Sequence, residues 1–174
     1  MSAGVLDKGC VEDETPEMRR AREALVAASP PPQFFRLRAQ LLDGGRSNER
    51  LAETENMQVN LKVYAGGGEN GLHNHSDEDH FHLVLSGRAR FYGPRGEAKT
   101  CGPYEGVLLP VGCFYRFHAL GDEPLVLLRV AARNGVPAEH RRRNIYGRPL
   151  PSEAKENGQT EAIPRPGSFW GAAD

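Results

Sequence analysis

The stretch His73-Asn74-His75-Ser76-Asp77-Glu78-Asp79-His80-Phe81-His82-Leu83-Val84-Leu85-Ser86-Gly87 decides how this chain is read. It concentrates four of the six histidines in ten residues and runs straight into an apolar segment closed by a glycine. Strand residues two apart share a face, so His73 and His75 point the same way. Neutral imidazole is the commonest side-chain metal ligand, and convergent imidazoles are costly to bury without an ion. A solvated histidine cluster is the alternative, and the core-like strand that follows argues against it. The stretch points to a bound metal.

Outward from it, short strands alternate with glycine-rich turns. Strands are expected at 33–42, 57–64, 81–85, 89–92, 98–101, 106–109, 115–118 and 125–131. Asp43-Gly44-Gly45, Gly66-Gly67-Gly68, Gly93-Pro94-Arg95-Gly96 and Gly121-Asp122 punctuate them. Many short strands at near-regular spacing imply an all-β sandwich or barrel over residues 33–132. Residues 1–32 read as a helical extension. Thr15 can cap, Pro16 suits the first helical position, and Glu17 favours the positive helix end. Met18, Ala21, Leu25 and Ala28 then share a face as far as Pro30-Pro31-Pro32, a face expected to pack on the barrel or on a partner subunit. Residues 133–174 form a proline-rich C-terminal extension. Ile145, Tyr146, Phe169 and Trp170 make it apolar enough to wrap over a neighbouring surface.

The histidine stretch resembles the first motif of the cupin superfamily, Gly-x5-His-x-His-x(3,4)-Glu-x6-Gly. Here it reads Gly67-x5-His73-x-His75-x4-His80-x6-Gly87, with every spacing kept and His80 where the family has Glu. The second motif, Gly-x5-Pro-x-Gly-x2-His-x3-Asn, appears as Tyr104-x5-Pro110-x-Gly112-x2-Tyr115-x3-Ala119. Only Pro110 and Gly112 match, and Tyr115 replaces the usual fourth ligand. The resemblance covers roughly residues 56–132. It implies a double-stranded β-helix (jelly-roll) barrel with a divalent metal, Fe, Zn, Mn or Ni, held inside by His73, His75 and His80.

Three neutral imidazoles would leave the ion's charge uncompensated, so an anionic small-molecule substrate is expected. Asp77, Glu78 and Asp79 read as a solvated acidic turn; if Asp79 bound instead of His80, the site would regain a carboxylate. His82 lies two residues beyond His80, on the same strand face. It is a candidate for hydrogen bonding or proton transfer, or a satisfied core histidine. Tyr115 could coordinate, donate a hydrogen bond or act as general acid–base, or simply fill the barrel. His118 falls on the opposite face. Phe81, Phe91, Phe114 and Phe117 are expected among the apolar walls, and Arg88 or Arg90 could meet a carboxylate. The resemblance leaves the chemistry open between an Fe(II)-type oxygenase on a small organic anion, a redox-neutral Zn or Mn isomerase or lyase, and a non-catalytic binder.

Composition narrows the partners. A formal charge of −1 and a pI near 6.6 argue against a nucleic-acid partner. Arg141-Arg142-Arg143 reads as a solvated turn. No apolar leader or membrane-spanning stretch is present in the sequence, and three cysteines without C-x-x-C spacing suit a reducing compartment. A cytoplasmic homodimer is the expectation, because small cupins commonly associate through sheet edges.

Overall fold

The computed structural model describes residues 14–66, 70–135, 141–151 and 160–173. The chain divides into two compact units at the Gln33–Phe34 junction. In the first, α1 (Pro16–Ala28) is capped by Thr15, whose hydroxyl accepts from the Met18 N–H at 3.2 Å. None of its residues is buried, so Met18 and Leu25 keep their apolar surface exposed.

The second unit is all-β, a jelly roll with twelve strands among the described residues. The strands are β1 (Arg38–Gly44), β2 (Arg46–Glu53), β3 (Met57–Tyr64), β4 (His73–His75), β5 (Glu78–Ser86) and β6 (Ala89–Tyr92). They continue as β7 (Ala98–Cys101), β8 (Gly106–Leu109), β9 (Arg116–Ala119), β10 (Leu125–Arg133), β11 (Arg142–Asn144) and β12 (Ile163–Gly171). A five-stranded antiparallel sheet runs β2-β3-β10-β5-β8. The β7-β6-β9 sheet contributes Ala89, Phe91, Cys101 and Phe117 to a core that the large sheet completes with Tyr64, Val84, Leu125 and Leu127. A two-stranded β4-β11 sheet closes one side, and His73 and Tyr115 exchange backbone hydrogen bonds of 3.1 and 2.9 Å. The β1-β12 pair covers part of the outer face of the large sheet, where Ala39, Leu42, Leu61, Val63 and Val126 form a second buried cluster with Trp170 against it. The C-terminal extension thus supplies a strand to β1.

Strands β3, β6, β7 and β8 fall where the residues place them. Three others do not follow from local pattern. β2 is largely polar because it is an edge strand, and β11 and β12 form by pairing with β4 and β1. β5 begins at Glu78, three residues earlier than expected, and this extension remakes the site. Its alternation buries Glu78, His80, His82 and Val84, while Phe81 turns outward at 39% exposure. Leu108, opposite Phe81, is likewise exposed, so neither residue is a cavity wall.

The motif glycines have a conformational reason. Gly87 has φ +73° and lies against the next loop, where an added Cβ would meet the Pro124 carbonyl oxygen at 2.8 Å. Gly67 lies outside the described residues. Tyr104, which stands where the second motif has glycine, is the one non-glycine residue with positive φ among those described, at 69°. Its side chain is 87% exposed, so almost no packing offsets the strain. Tyr104→Gly should stabilise the protein by about 1 kcal/mol, read as a melting temperature about 2–4 °C higher. An unchanged or lower melting temperature would show that the left-handed backbone is not under strain.

Candidate metal centre

Strands β4 and β5 bring the histidines together because both run along the barrel wall with these residues facing in. His75 Nδ1 lies 3.2 Å from Glu78 Oε1, and His80 Nε2 lies 2.7 Å from the same oxygen. These three donor atoms all fall within 4.8 Å of one another. A carboxylate therefore enters the group where the third imidazole was expected. His73 stands beside it, with ring centroids 5.2 Å from His75 and 4.7 Å from Tyr115. Its Nδ1–H donates to the Gly71 carbonyl at 2.7 Å, which leaves Nε2 as the lone-pair nitrogen.

The acidic run splits three ways. Asp77 is buried and pairs with Arg141 at 3.1 Å. Asp79 accepts from the Val111 N–H at 2.7 Å. Glu78, between them, turns inward: it is two residues from His80 in one strand and so shares its face. The solvated-turn reading fails because β5 starts at Glu78.

The donor set suits a divalent cation. Ligand atoms around an ion with bonds of roughly 2.0–2.2 Å sit about 3 Å apart, as Glu78 Oε1 does from each of the two imidazole nitrogens. Burial raises Glu78, yet the hydrogen bonds from His75 and His80 and the Arg129 charge outweigh it and hold the carboxyl well below its usual range. Burial lowers His75, and it takes His80 down to about 3, so both imidazoles are neutral as ligands must be. Arg129 Nη2 sits 2.8 Å from Glu78 Oε1 and 2.6 Å from His80 Nε2. That nitrogen cannot both donate to the carboxylate and accept from the guanidinium. A cation receiving the lone pairs of His75, Glu78 and His80 accounts for the close approach of Nε2 and Oε1, and the Arg129 guanidinium then moves off Nε2.

Tyr115 is buried, and its hydroxyl lies 3.2 Å from His80 Nδ1. Burial raises its phenol well above the usual value, so it carries its proton. His82 is buried among Phe91, Phe117 and Tyr115, and neither ring nitrogen has a hydrogen-bond partner. His118 instead packs edge-on against Tyr92.

These residues line a cavity of about 230 Å³. Arg46, Lys62, Arg129 and Arg142 share its wall. None of the four was singled out from sequence as a cavity residue, whereas Arg88 and Arg90, which were, are exposed. Arg142 comes from the run read as a solvated turn; β11 pairs it with His75.

Residues 60–131 match the family model of the cupin domain. That segment is a cupin domain. Among solved structures, the chain is similar to an uncharacterized conserved Klebsiella pneumoniae protein with a double-stranded beta-helix domain. The two are 20% identical with a TM-score of 0.48, over 55% of this chain and 83% of that one. A cupin superfamily protein of Desulfitobacterium hafniense is 17% identical, with a TM-score of 0.48 over 55% of this chain and 84% of its own. KdgF from a Halomonas species is 20% identical, with a TM-score of 0.46 over 52% and 82%. No curated protein matches the chain. No helix among the described residues is long and apolar enough to cross a membrane.

Proposed function

We propose that this chain is a metal-dependent enzyme, an Fe(II)-type oxygenase acting on a small organic anion. The observation that carries the reading is the convergence of His75, Glu78 and His80, two imidazoles and one carboxylate, on one point of a basic cavity. That donor type with open positions is the one non-haem iron oxygenases use, and an Fe(II) ion held there supplies dioxygen chemistry. His73, with Nδ1–H tied to Gly71, completes the proposed ligand set.

The remaining residues act around that set. His80 Nδ1–H donates to the Tyr115 hydroxyl oxygen, which fixes the orientation of the ring and leaves Nε2 as the lone-pair nitrogen. Phe91 and Phe117 keep water from the inner end, and the basic side chains hold the substrate's charge. Tyr115 and His82 are also the candidates for moving a proton. Their neutral, buried state supports the second reading, a redox-neutral Zn or Mn isomerase or lyase. A non-catalytic binder is the third.

Anaerobic protein loaded with Fe(II) should consume dioxygen at least about tenfold faster when the right small organic anion is added. Tyr115→Phe should bind iron normally and turn over about ten- to hundredfold more slowly. Proton exchange into an anion without dioxygen uptake would replace the first reading by the second. Unchanged turnover in Tyr115→Phe would make the tyrosine only wall.

We also assign a cytoplasmic homodimer. The free thiols of Cys101 and Cys113 suit a reducing setting. Met57, Phe81 and Leu108 are exposed on the outer face of the large sheet, a surface suited to a second copy. A monomer mass in sedimentation equilibrium at micromolar concentration would defeat the dimer.

A further inference from the structure

The cavity is more basic than a divalent-cation site requires. Arg46, Lys62, Arg129 and Arg142 face Glu78, the only carboxylate among the described lining residues, so three guanidiniums and the Lys62 amine, which burial and the arginines around it bring down to about 7, meet one anion when the imidazoles are neutral. Glu78 is already engaged by His75, His80 and Arg129. Arg46 donates to a neutral partner, Asn70 Oδ1, at 2.6 Å. Lys62 Nζ reaches the Tyr64 hydroxyl at 3.4 Å and forms no ion pair among the described residues. It sits on β3, cross-strand from Leu127 and facing inward like Asn60 and Tyr64.

A second observation is independent of these charges. His82 is 3% exposed, faces the same cavity, and has no partner at either ring nitrogen. A buried imidazole without partners and an ammonium without a counter-charge each destabilise the empty protein. One ligand with several anionic oxygens relieves both. A monoanion would leave most of the positive charge unanswered, and planar guanidiniums pair with carboxylate or phosphate oxygens two at a time.

We propose that the cavity binds a compact organic polyanion, a phosphate monoester or a polycarboxylate, with its charged oxygens on Arg46, Lys62 and Arg142 and a hydrogen bond from His82. This names the ligand class for the reading above and rests on it for which end reacts. The charge argument itself needs no metal.

Isothermal titration calorimetry on the full chain, stripped of metal by a chelator, tests it with inorganic phosphate and citrate as probes and acetate as the monoanion control. At least one polyanion should bind about tenfold or more tighter than acetate. Lys62→Met, which keeps the side-chain length and removes the charge, should weaken that binding at least about tenfold. The same variant should melt no lower than the parent without ligand, which separates a lost charge from a lost fold. Binding of phosphate alone assigns a phosphate monoester, and binding of citrate alone assigns a polycarboxylate. Binding no tighter than that of acetate, or affinity unchanged in Lys62→Met, overturns the proposal. Mn²⁺ binding followed by electron paramagnetic resonance reports separately on His75, Glu78 and His80. If Mn²⁺ fails to bind while a polyanion binds, the metal assignment falls and the polyanion site stands.

Discussion

Glu78→Ala should lower the affinity for Mn²⁺ or Fe²⁺ by at least about a hundredfold. Losing a residue that merely orients a ligand weakens metal binding about ten- to hundredfold, and Glu78 supplies the only anionic donor of the set. The expected damage goes further than the lost ligand. Oε1 is the atom that His75, His80 and Arg129 all approach, at 3.2, 2.7 and 2.8 Å. Without it, Arg129 is left as an unanswered charge beside two imidazoles, its side chain only 14% exposed. Removing one partner of a buried pair costs roughly 3–5 kcal/mol, and the residual exposure of Arg129 places this case at or below the lower end. The metal-free variant should therefore melt several degrees lower. Glu78→Gln keeps the shape and still loses the charge, so it should share the metal defect with a smaller loss of stability. Metal titration and a thermal melt on both variants check this. Wild-type affinity in Glu78→Gln would remove Glu78 from the ligand set.

The jelly roll and the position of the histidines were legible because both rest on short-range regularities. Gly67, His73, His75, His80 and Gly87 keep the spacing of the cupin motif, and of these His73 and His75 fall on β4 and His80 on β5. Strands such as β6 and β8 are bounded by turn residues that the chain displays openly. Glu78 was hidden by its neighbours: flanked by Asp77 and Asp79, it looks like part of an acidic turn. The parity signal at 78, 80 and 82 appears only if the strand is carried back past His80. Lys62 was hidden differently. Leu61 and Val63 are buried on the other face of β3, so the strand alternates between two interiors, one apolar and one polar. Such a strand gives no sign of which face meets the cavity. Arg142 and β12 depend on pairing with residues far along the chain, and no local pattern encodes those partners. Tyr104 shows the reverse. The degraded motif marked a glycine position, and the backbone there keeps the glycine conformation with a tyrosine in it.

Gly106→Ala should destabilise the protein by about 3 kcal/mol, read as a melting temperature lower by roughly 6–12 °C. Gly106 lies in the edge strand β8, opposite Leu83 in β5. A Cβ there would meet the His82 carbonyl oxygen at 2.6 Å and the Leu83 Cα at 3.5 Å. Those contacts are backbone, so no side chain can swing aside to admit the methyl group. Either β8 moves off β5, breaking the pairing that sets Val107 and Leu109 against the barrel interior, or β5 moves inward. In both cases His82 changes position, because its own carbonyl is the atom struck. Its ring sits with Phe91 and Phe117 at centroid distances of 6.0 and 5.8 Å, and that packing leaves little freedom to compensate. The variant should thus lose polyanion affinity along with stability, although Gly106 touches no ligand. Val107→Ala gives the control, since it also weakens the edge strand but brings no atom toward the His82 carbonyl. If Gly106→Ala melts lower yet binds phosphate or citrate as the parent does, His82 has no part in holding the ligand. If it melts as the parent does, the close approach of β5 and β8 is not what holds that edge.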